Sequence, residues 1–141
     1  MMRRDIAMTS FGVLCALTIF TQRSEAAATC ESLTSLSLPN TTITAAQSVA
    51  AGAFTPPGGT RGAAQIAMYK ALPPFCRVTA SVKPTSDSDI KIEVWMPTAN
   101  WNGNFRGTGN IGLGGVIEQA NLGAAMAGGY ARRIEDSVDI H

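Results

Sequence analysis

The segment from Asn100 to Gly115 constrains the fold of this chain more than any other, because six of its sixteen residues are glycine. Glycine weakens the interiors of helices and strands, but it allows tight turns and a close approach of the backbone to a bound group. An apolar, helix-like pattern begins directly after this segment, at Val116. The segment therefore predicts backbone N–H groups beside a helix N-terminus, a place that favours negative charge.

Residues 1–28 have the features of a secretory signal peptide. Arg3 and Arg4 precede an uncharged apolar stretch, and Ala26–Ala28 supplies small residues for cleavage. The apolar stretch is shorter than the ~20 residues of a membrane span, although a single membrane anchor is the alternative. We expect a secreted or periplasmic protein whose mature part is residues 29–141, with no membrane association after cleavage.

The mature part contains as many basic as acidic residues and two cysteines, Cys30 and Cys76. Because no basic patch with interleaved aromatic residues is present, the sequence argues against a nucleic-acid partner. An even pair of cysteines in an exported chain favours a disulfide, and two buried thiols are the alternative. Such a disulfide would close a loop of about 45 residues and contribute about 4 kcal/mol in the loop-entropy model.

The clearest secondary-structure pattern is a pair of alternating segments. Polar and apolar residues alternate over Arg77–Lys83 and again over Asp89–Met96, with turn-forming residues at 84–88 between them. Period-2 alternation with β-branched residues predicts an antiparallel strand pair with one buried face. Together with the glycine-rich loop and the helix after it, this pair predicts an α/β fold.

Weaker patterns predict the other elements. They indicate irregular chain or a short strand over Thr29–Leu38, a strand running into a short helix over Ile43–Ala53, a loop over Thr55–Gly62, weak helical character over Ala63–Leu72, a short strand from Phe105 and a helix over Val116–Met126. The residues after Tyr130 show no periodicity, so no element is predicted there.

The glycine-rich segment has three interpretations. Gly107–Gly112 fits the dinucleotide fingerprint G-x-G-x-x-G, with Glu135 near the spacing of its acidic residue. That fingerprint follows a buried apolar strand, whereas residues 100–104 are polar and loop-like, which argues against a dinucleotide site. The second interpretation is an oxyanion loop of an α/β-hydrolase, and the third is a loop that is glycine-rich only because it turns tightly.

A series of short motifs runs along the chain in order: Cys30-Glu31-Ser32-Leu33, Cys76-Arg77-Val78, Lys83-Pro84-Thr85, Ser88-Asp89-Ile90-Lys91, Glu93-Val94-Trp95-Met96-Pro97, Asn100-Trp101-Asn102-Gly103, Gly109-Asn110, Gly112 and Gly129-Tyr130-Ala131. In order and spacing the series resembles the N-terminal part of the tannase/feruloyl esterase family. The resemblance covers roughly Cys30 to Ala131.

The resemblance implies an N-terminal fragment of an α/β-hydrolase, from a secreted enzyme that cleaves esters of aromatic acids such as gallate or ferulate with a Ser-His-Asp triad. It implies an oxyanion glycine among Gly109, Gly112, Gly114 and Gly115, with Gly112 as the first choice, and a pairing of Cys30 with Cys76. The family's calcium site belongs to a lid domain without a counterpart here, so no metal or cofactor is expected in this chain. The implied partner is a small-molecule aromatic ester.

The chain also departs from the family pattern. No serine lies in the family's Cys-Ser-x-Gly-Gly elbow, and the only histidine is His141. From Arg132 onward the sequence is charged and only loosely similar, and Ile111 stands where the family's motif usually has glycine. We therefore expect residues 29–141 to be a truncated domain that hydrolyses no ester alone.

A truncated sheet would also leave an unpaired strand edge and an uncovered apolar face, which predicts poor solubility. The alternative function is a stand-alone secreted binding module for aromatic carboxylates. That alternative predicts a stable fold and ligand binding without turnover.

Overall fold

The computed structural model describes residues 28–60, 62–109 and 115–136. Within these ranges a five-stranded sheet carries two α-helices on one face and a short 3-10 helix on the other. The elements in chain order are the 3-10 helix Glu31–Ser35, β1 Thr41–Val49, α1 Ala63–Lys70, β2 Phe75–Val82, β3 Ile90–Pro97, β4 Phe105–Thr108, α2 Gln119–Ala127 and β5 Ala131–Asp136.

The sheet has the strand order β1-β2-β3-β5-β4. All neighbouring strands are antiparallel except β4 and β5, which are parallel. Two parallel neighbours need a crossover connection, and α2 provides it, so β4, α2 and β5 form a β-α-β unit. The predicted antiparallel pair is confirmed as β2 and β3, with Val78 opposite Val94. The result is a mixed α/β arrangement.

An aromatic cluster forms the core between the sheet and the helices. Trp95 and Phe75 are fully buried and stacked with ring centroids 4.4 Å apart, and Phe54 packs edge-on against Trp95 at 4.5 Å. The other buried members are Tyr69, Leu72, Leu122, Met126 and Ile134. Aromatic side chains bury the largest apolar areas of any residues, so this cluster is the main source of stability.

A charged pair lies at the edge of this core. Glu93 is only 2% exposed, and its carboxylate accepts hydrogen bonds from Arg77 Nε at 2.5 Å and from Trp95 Nε1 at 2.7 Å. A buried carboxylate is tolerated only with such partners. On β3, Glu93 and Trp95 lie on the more buried face of the strand. The alternating apolar residues on the other face, which include Ile92 and Val94, are half-buried.

The 3-10 helix covers one end of the opposite face. A disulfide joins Cys30 to Cys76, with Cα atoms 5.5 Å apart, which confirms the predicted pairing. Leu33 packs beside it against the sheet. The Glu31 carboxylate accepts the Ser48 N–H at 2.9 Å, and this hydrogen bond lowers the pKa of Glu31. The disulfide and this hydrogen bond together attach the 3-10 helix to β1 and β2.

Three predicted elements differ from the structure. Thr29–Leu38, predicted as irregular chain or a short strand, contains the 3-10 helix. The short helix predicted at the end of Ile43–Ala53 does not form, because the chain turns at Gly52 with a φ of 65°. The helix expected from Val116 begins at Gln119, since Glu118 at its N-cap has non-helical backbone angles. The strand β5 was not predicted at all, because four of its six residues are charged.

Part of the sheet remains open. Past the 3-10 helix, apolar side chains of β1, β2 and β3 line a groove of about 400 Å³ that includes Ile43, Val82 and Ile92. Among the described strands, β1 and β4 each have a neighbour on one side only. These are the features on which the solubility prediction depends, and it stays a prediction. Across the described residues, no helix has the length and apolar character needed to cross a bilayer.

Candidate functional site

The strand β4 divides the glycine-rich segment into two loops at opposite ends of the strand. The loop before β4 is attached to the end of α2: the Asn102 N–H donates to the Gly129 carbonyl at 3.0 Å, and Asn102 Nδ2 donates to the Gly128 carbonyl at 2.9 Å. A Cβ on Gly129 would lie only 3.0 Å from the Asn100 carbonyl oxygen, so a glycine permits this close approach. This loop is therefore structural.

The second loop leaves the carboxyl end of β4 at Gly109 and returns to α2 through Gly115, whose φ is 51°. Three residues then separate Gly115 from the first residue of α2, so the loop does not enter the helix directly. Gly112 and Gly114 lie outside the described residues. The oxyanion role of all four candidate glycines stays a prediction.

A cavity of about 250 Å³ lies between the two ends of this second loop. Its lining comes from the end of β4, the residues before α2, the first turn of α2 and the middle of β5: Thr108, Gly109, Val116, Glu118, Asn121, Arg132 and Ile134. Open α/β sheets bind ligands in the crevice outside the carboxyl ends of parallel strands. The cavity lies at the carboxyl end of β4, so we treat it as the candidate ligand-binding site of the described residues.

Arg132 is the cationic group of the cavity. Its Nη1 donates to the Asn121 carbonyl at 2.8 Å and its Nη2 donates to Thr108 Oγ1 at 3.2 Å. Nε is buried, and no described atom accepts a hydrogen bond from it. Burial lowers the pKa of the Arg132 guanidinium, and the charge of Arg106 lowers it further. The side chain thus connects β4 to α2 and lines a cavity as an incompletely paired cation.

Two features of the β4-α2-β5 unit agree with the dinucleotide fingerprint. The strands β4 and β5 are parallel. The first glycine after β4 also lies near the acidic residue of the fingerprint, since a Cβ on Gly109 would be 3.8 Å from Glu135 Oε1. The strand before the glycines is nevertheless a four-residue edge strand whose first three residues are exposed, not the buried central strand that the fingerprint needs. Glu135 also forms an ion pair with Arg133, with 3.0 Å between Nη2 and Oε2.

The described residues hold no complete set of catalytic groups. His141, the only histidine of the chain, lies outside them. Within the described ranges, no three histidine, cysteine or acidic side chains are grouped so as to hold a metal ion. Arg132 and the other polar groups of the cavity, Thr108, Glu118 and Asn121, were not predicted from the sequence. The sequence contains no signal for Arg132, because β5 itself was not predicted.

Comparison with known proteins gives consistent results. A protein from Xanthomonas campestris pv. campestris, named as an uncharacterized esterase, is 43% identical over 123 residues, which is 87% of this chain. A probable feruloyl esterase B-2 of Aspergillus flavus is 41% identical over 57 residues, or 40% of this chain. The crystal structure of feruloyl esterase B from Aspergillus oryzae superposes with a TM-score of 0.61 at 28% identity over 76% of this chain.

Over most of its length, the chain is similar to one part of proteins of the feruloyl esterase/tannase-like family. No protein-family model matches it. The chain spans 20% of the length of the Xanthomonas relative, 11% of the Aspergillus flavus relative and 20% of the Aspergillus oryzae structure. The family resemblance inferred from the motif series is thus confirmed, over a fraction of the relatives' length.

Proposed function

We propose that this chain contributes the oxyanion-loop region of a secreted carboxylic ester hydrolase of the feruloyl esterase type. The observation that supports the proposal best is the position of the glycine-rich loop. In a chain related to esterases, Gly109 follows the carboxyl end of β4 and Gly115 leads toward α2. In α/β-hydrolases a glycine-rich loop after an early strand supplies one of the two oxyanion donors.

The loop would act through its backbone. A tetrahedral intermediate is stabilised by N–H donors about 3 Å from the developing negative oxygen, and glycine lets the backbone come that close. Gly112 is our first choice for the donor, with Gly109, Gly114 and Gly115 as the other candidates. An aromatic-acid ester of the gallate or ferulate type would be the substrate.

Attack on the ester needs a nucleophile and a base, and the sequence has no serine in a Cys-Ser-x-Gly-Gly elbow and no histidine other than His141. A serine oxygen must form the acyl-enzyme bond, and a histidine oriented by an acidic residue must take the serine proton. We propose that these three residues, and any lid with a calcium site, lie in other parts of a longer protein. Residues 29–141 would then be one piece of its catalytic domain.

The proposed export has two supports. Residues 1–28 have the order of a signal peptide, with a basic start, an apolar middle and small residues at the end. The Cys30–Cys76 disulfide fits the same route, because disulfides persist in oxidising compartments and are rare in the cytosol. A secreted or periplasmic location satisfies both observations.

The 141-residue chain by itself is expected to hydrolyse no ester. The physical reason is that the sequence has no serine in the family's elbow, and oxyanion donors alone cannot form an acyl-enzyme. The measurement is release of ferulate from methyl ferulate, and of gallate from methyl gallate, by the purified chain. The matched control is the Gly112→Pro variant, which removes the favoured N–H donor. Saturable turnover by the chain above the rate of this control would contradict the prediction.

A further inference from the structure

The cavity beside the second loop contains a cation without a counter-ion among the described residues. Arg132 is half-buried, and no described carboxylate lies within ion-pair distance of it, whereas its neighbour Arg133 is paired with Glu135. A cation removed from water is unfavourable unless it is paired. The positive charge of Arg106 adds repulsion to this cost.

The guanidinium also has hydrogen-bonding capacity to spare. Arginine carries five N–H donors. Within the described chain, two of them are used, one by the Asn121 carbonyl and one by Thr108 Oγ1. These two bonds fix the plane of the guanidinium between β4 and α2. A planar, fixed guanidinium with free N–H groups is the arrangement that binds carboxylates and phosphates in proteins.

The apolar part of the cavity lining favours an organic carboxylate over inorganic phosphate. Val116 and Ile134 provide apolar side chains on the wall of the cavity. Its volume of about 250 Å³ corresponds to roughly eight water molecules at their share of the liquid volume. An organic acid would bury apolar surface there, and inorganic phosphate has none to bury.

We propose that this cavity binds the carboxylate of a small organic acid with an apolar body through the Arg132 guanidinium. For the alternative function, a stand-alone binding module, this cavity is the ligand site. The proposal does not depend on the ester hydrolase function. Because an ester is neutral at its carbonyl, the site would take a free acid instead of an ester. Glu118, an exposed acidic residue of the same lining, opposes the bound anion and limits its affinity.

The test measures binding of sodium benzoate to the full 141-residue chain by titration calorimetry. Benzamide, which has the same shape without the charge, and inorganic phosphate are titrated in parallel. The Arg132→Gln variant is expected to weaken benzoate binding by at least about tenfold, because a charge-assisted hydrogen bond is lost. The matched control is Arg133→Gln, which removes the same charge from a partly exposed ion pair on the opposite face of β5 and should leave benzoate binding within about twofold.

The Glu118→Gln variant should raise benzoate affinity severalfold, because it removes the negative charge that opposes the bound carboxylate. This measurement still tests the site if the Arg132→Gln variant fails to fold. Saturable benzoate binding with no benzamide binding, together with these variant effects, supports the site. Equal binding of benzamide, displacement of benzoate by equimolar phosphate, equal effects of the two arginine variants, or no saturable benzoate binding would each overturn it. Ester hydrolysis is not measured, so these results leave the proposed ester hydrolase function unaffected.

Discussion

Replacing Trp95 with alanine is expected to lower the free energy of unfolding by about 3–5 kcal/mol, the usual cost of truncating a buried aromatic residue. The ring is 0% exposed and contacts both Phe75 and Phe54. The substitution also removes the Nε1–H donor from Glu93, which leaves a buried carboxylate with one partner fewer. Since small domains have only about 5–15 kcal/mol in total, most of the stability would be lost.

The matched control is Trp101→Ala. This second tryptophan of the chain is 57% exposed, and its Nε1–H donates to the Asn104 carbonyl at 3.0 Å. An exposed side chain of this kind usually changes stability by no more than about 0.5 kcal/mol. Urea unfolding at low micromolar concentration, followed by far-UV circular dichroism, measures both variants. Similar midpoints for Trp95→Ala and the native chain would show that the aromatic core is not assembled as described.

Loss of the disulfide is expected to cost about 4 kcal/mol in the loop-entropy model. Cys30 and Cys76 are separated by 46 positions in the sequence, so the bond removes much freedom from the unfolded chain. It also holds the 3-10 helix against β1 and β2, where Leu33 covers part of the sheet. The double variant Cys30→Ser/Cys76→Ser should therefore unfold at a clearly lower urea concentration than the oxidised native chain.

The reductant series provides the internal control. Dithiothreitol should lower the unfolding midpoint of the native chain to that of the double variant, and it should leave the double variant unchanged. A native midpoint that is insensitive to reductant would contradict a stabilising role for this bond. A shift in the double variant would show that the reductant acts elsewhere.

The elements that sequence predicted well are those whose pattern reflects burial directly. Alternation identified β2 and β3, and Phe105 was expected to begin the short strand that became β4. The sequence did not indicate which face of β3 is more buried, because Glu93 interrupts that face and its burial depends on Arg77, which lies on another strand. Long-range pairing of this kind has no local signal.

β5 was missed for a related reason. Its charged residues Arg132, Arg133, Glu135 and Asp136 argue for solvent, yet the strand lies between β3 and β4. Each of these charged side chains has a partner that compensates for its position in the sheet. Arg132 donates hydrogen bonds to Thr108 and Asn121, and Asp136 accepts the Lys91 N–H at 2.5 Å. Arg133 and Glu135 form an ion pair with each other. The cavity beside the second loop depends on β5 and was therefore out of reach of sequence reasoning. The glycines of that loop were identified, but their chemical role was not.

We propose that this chain is one part of a carboxylic ester hydrolase, and its gene offers a direct test. The locus is sequenced through and beyond codon 141, and all three frames are translated. We expect one frame to continue with a serine in a Cys-Ser-x-Gly-Gly elbow, followed by an aspartate and a histidine that complete a triad. Three frames that contain no such elbow would contradict the proposal and leave ligand binding as the function to pursue.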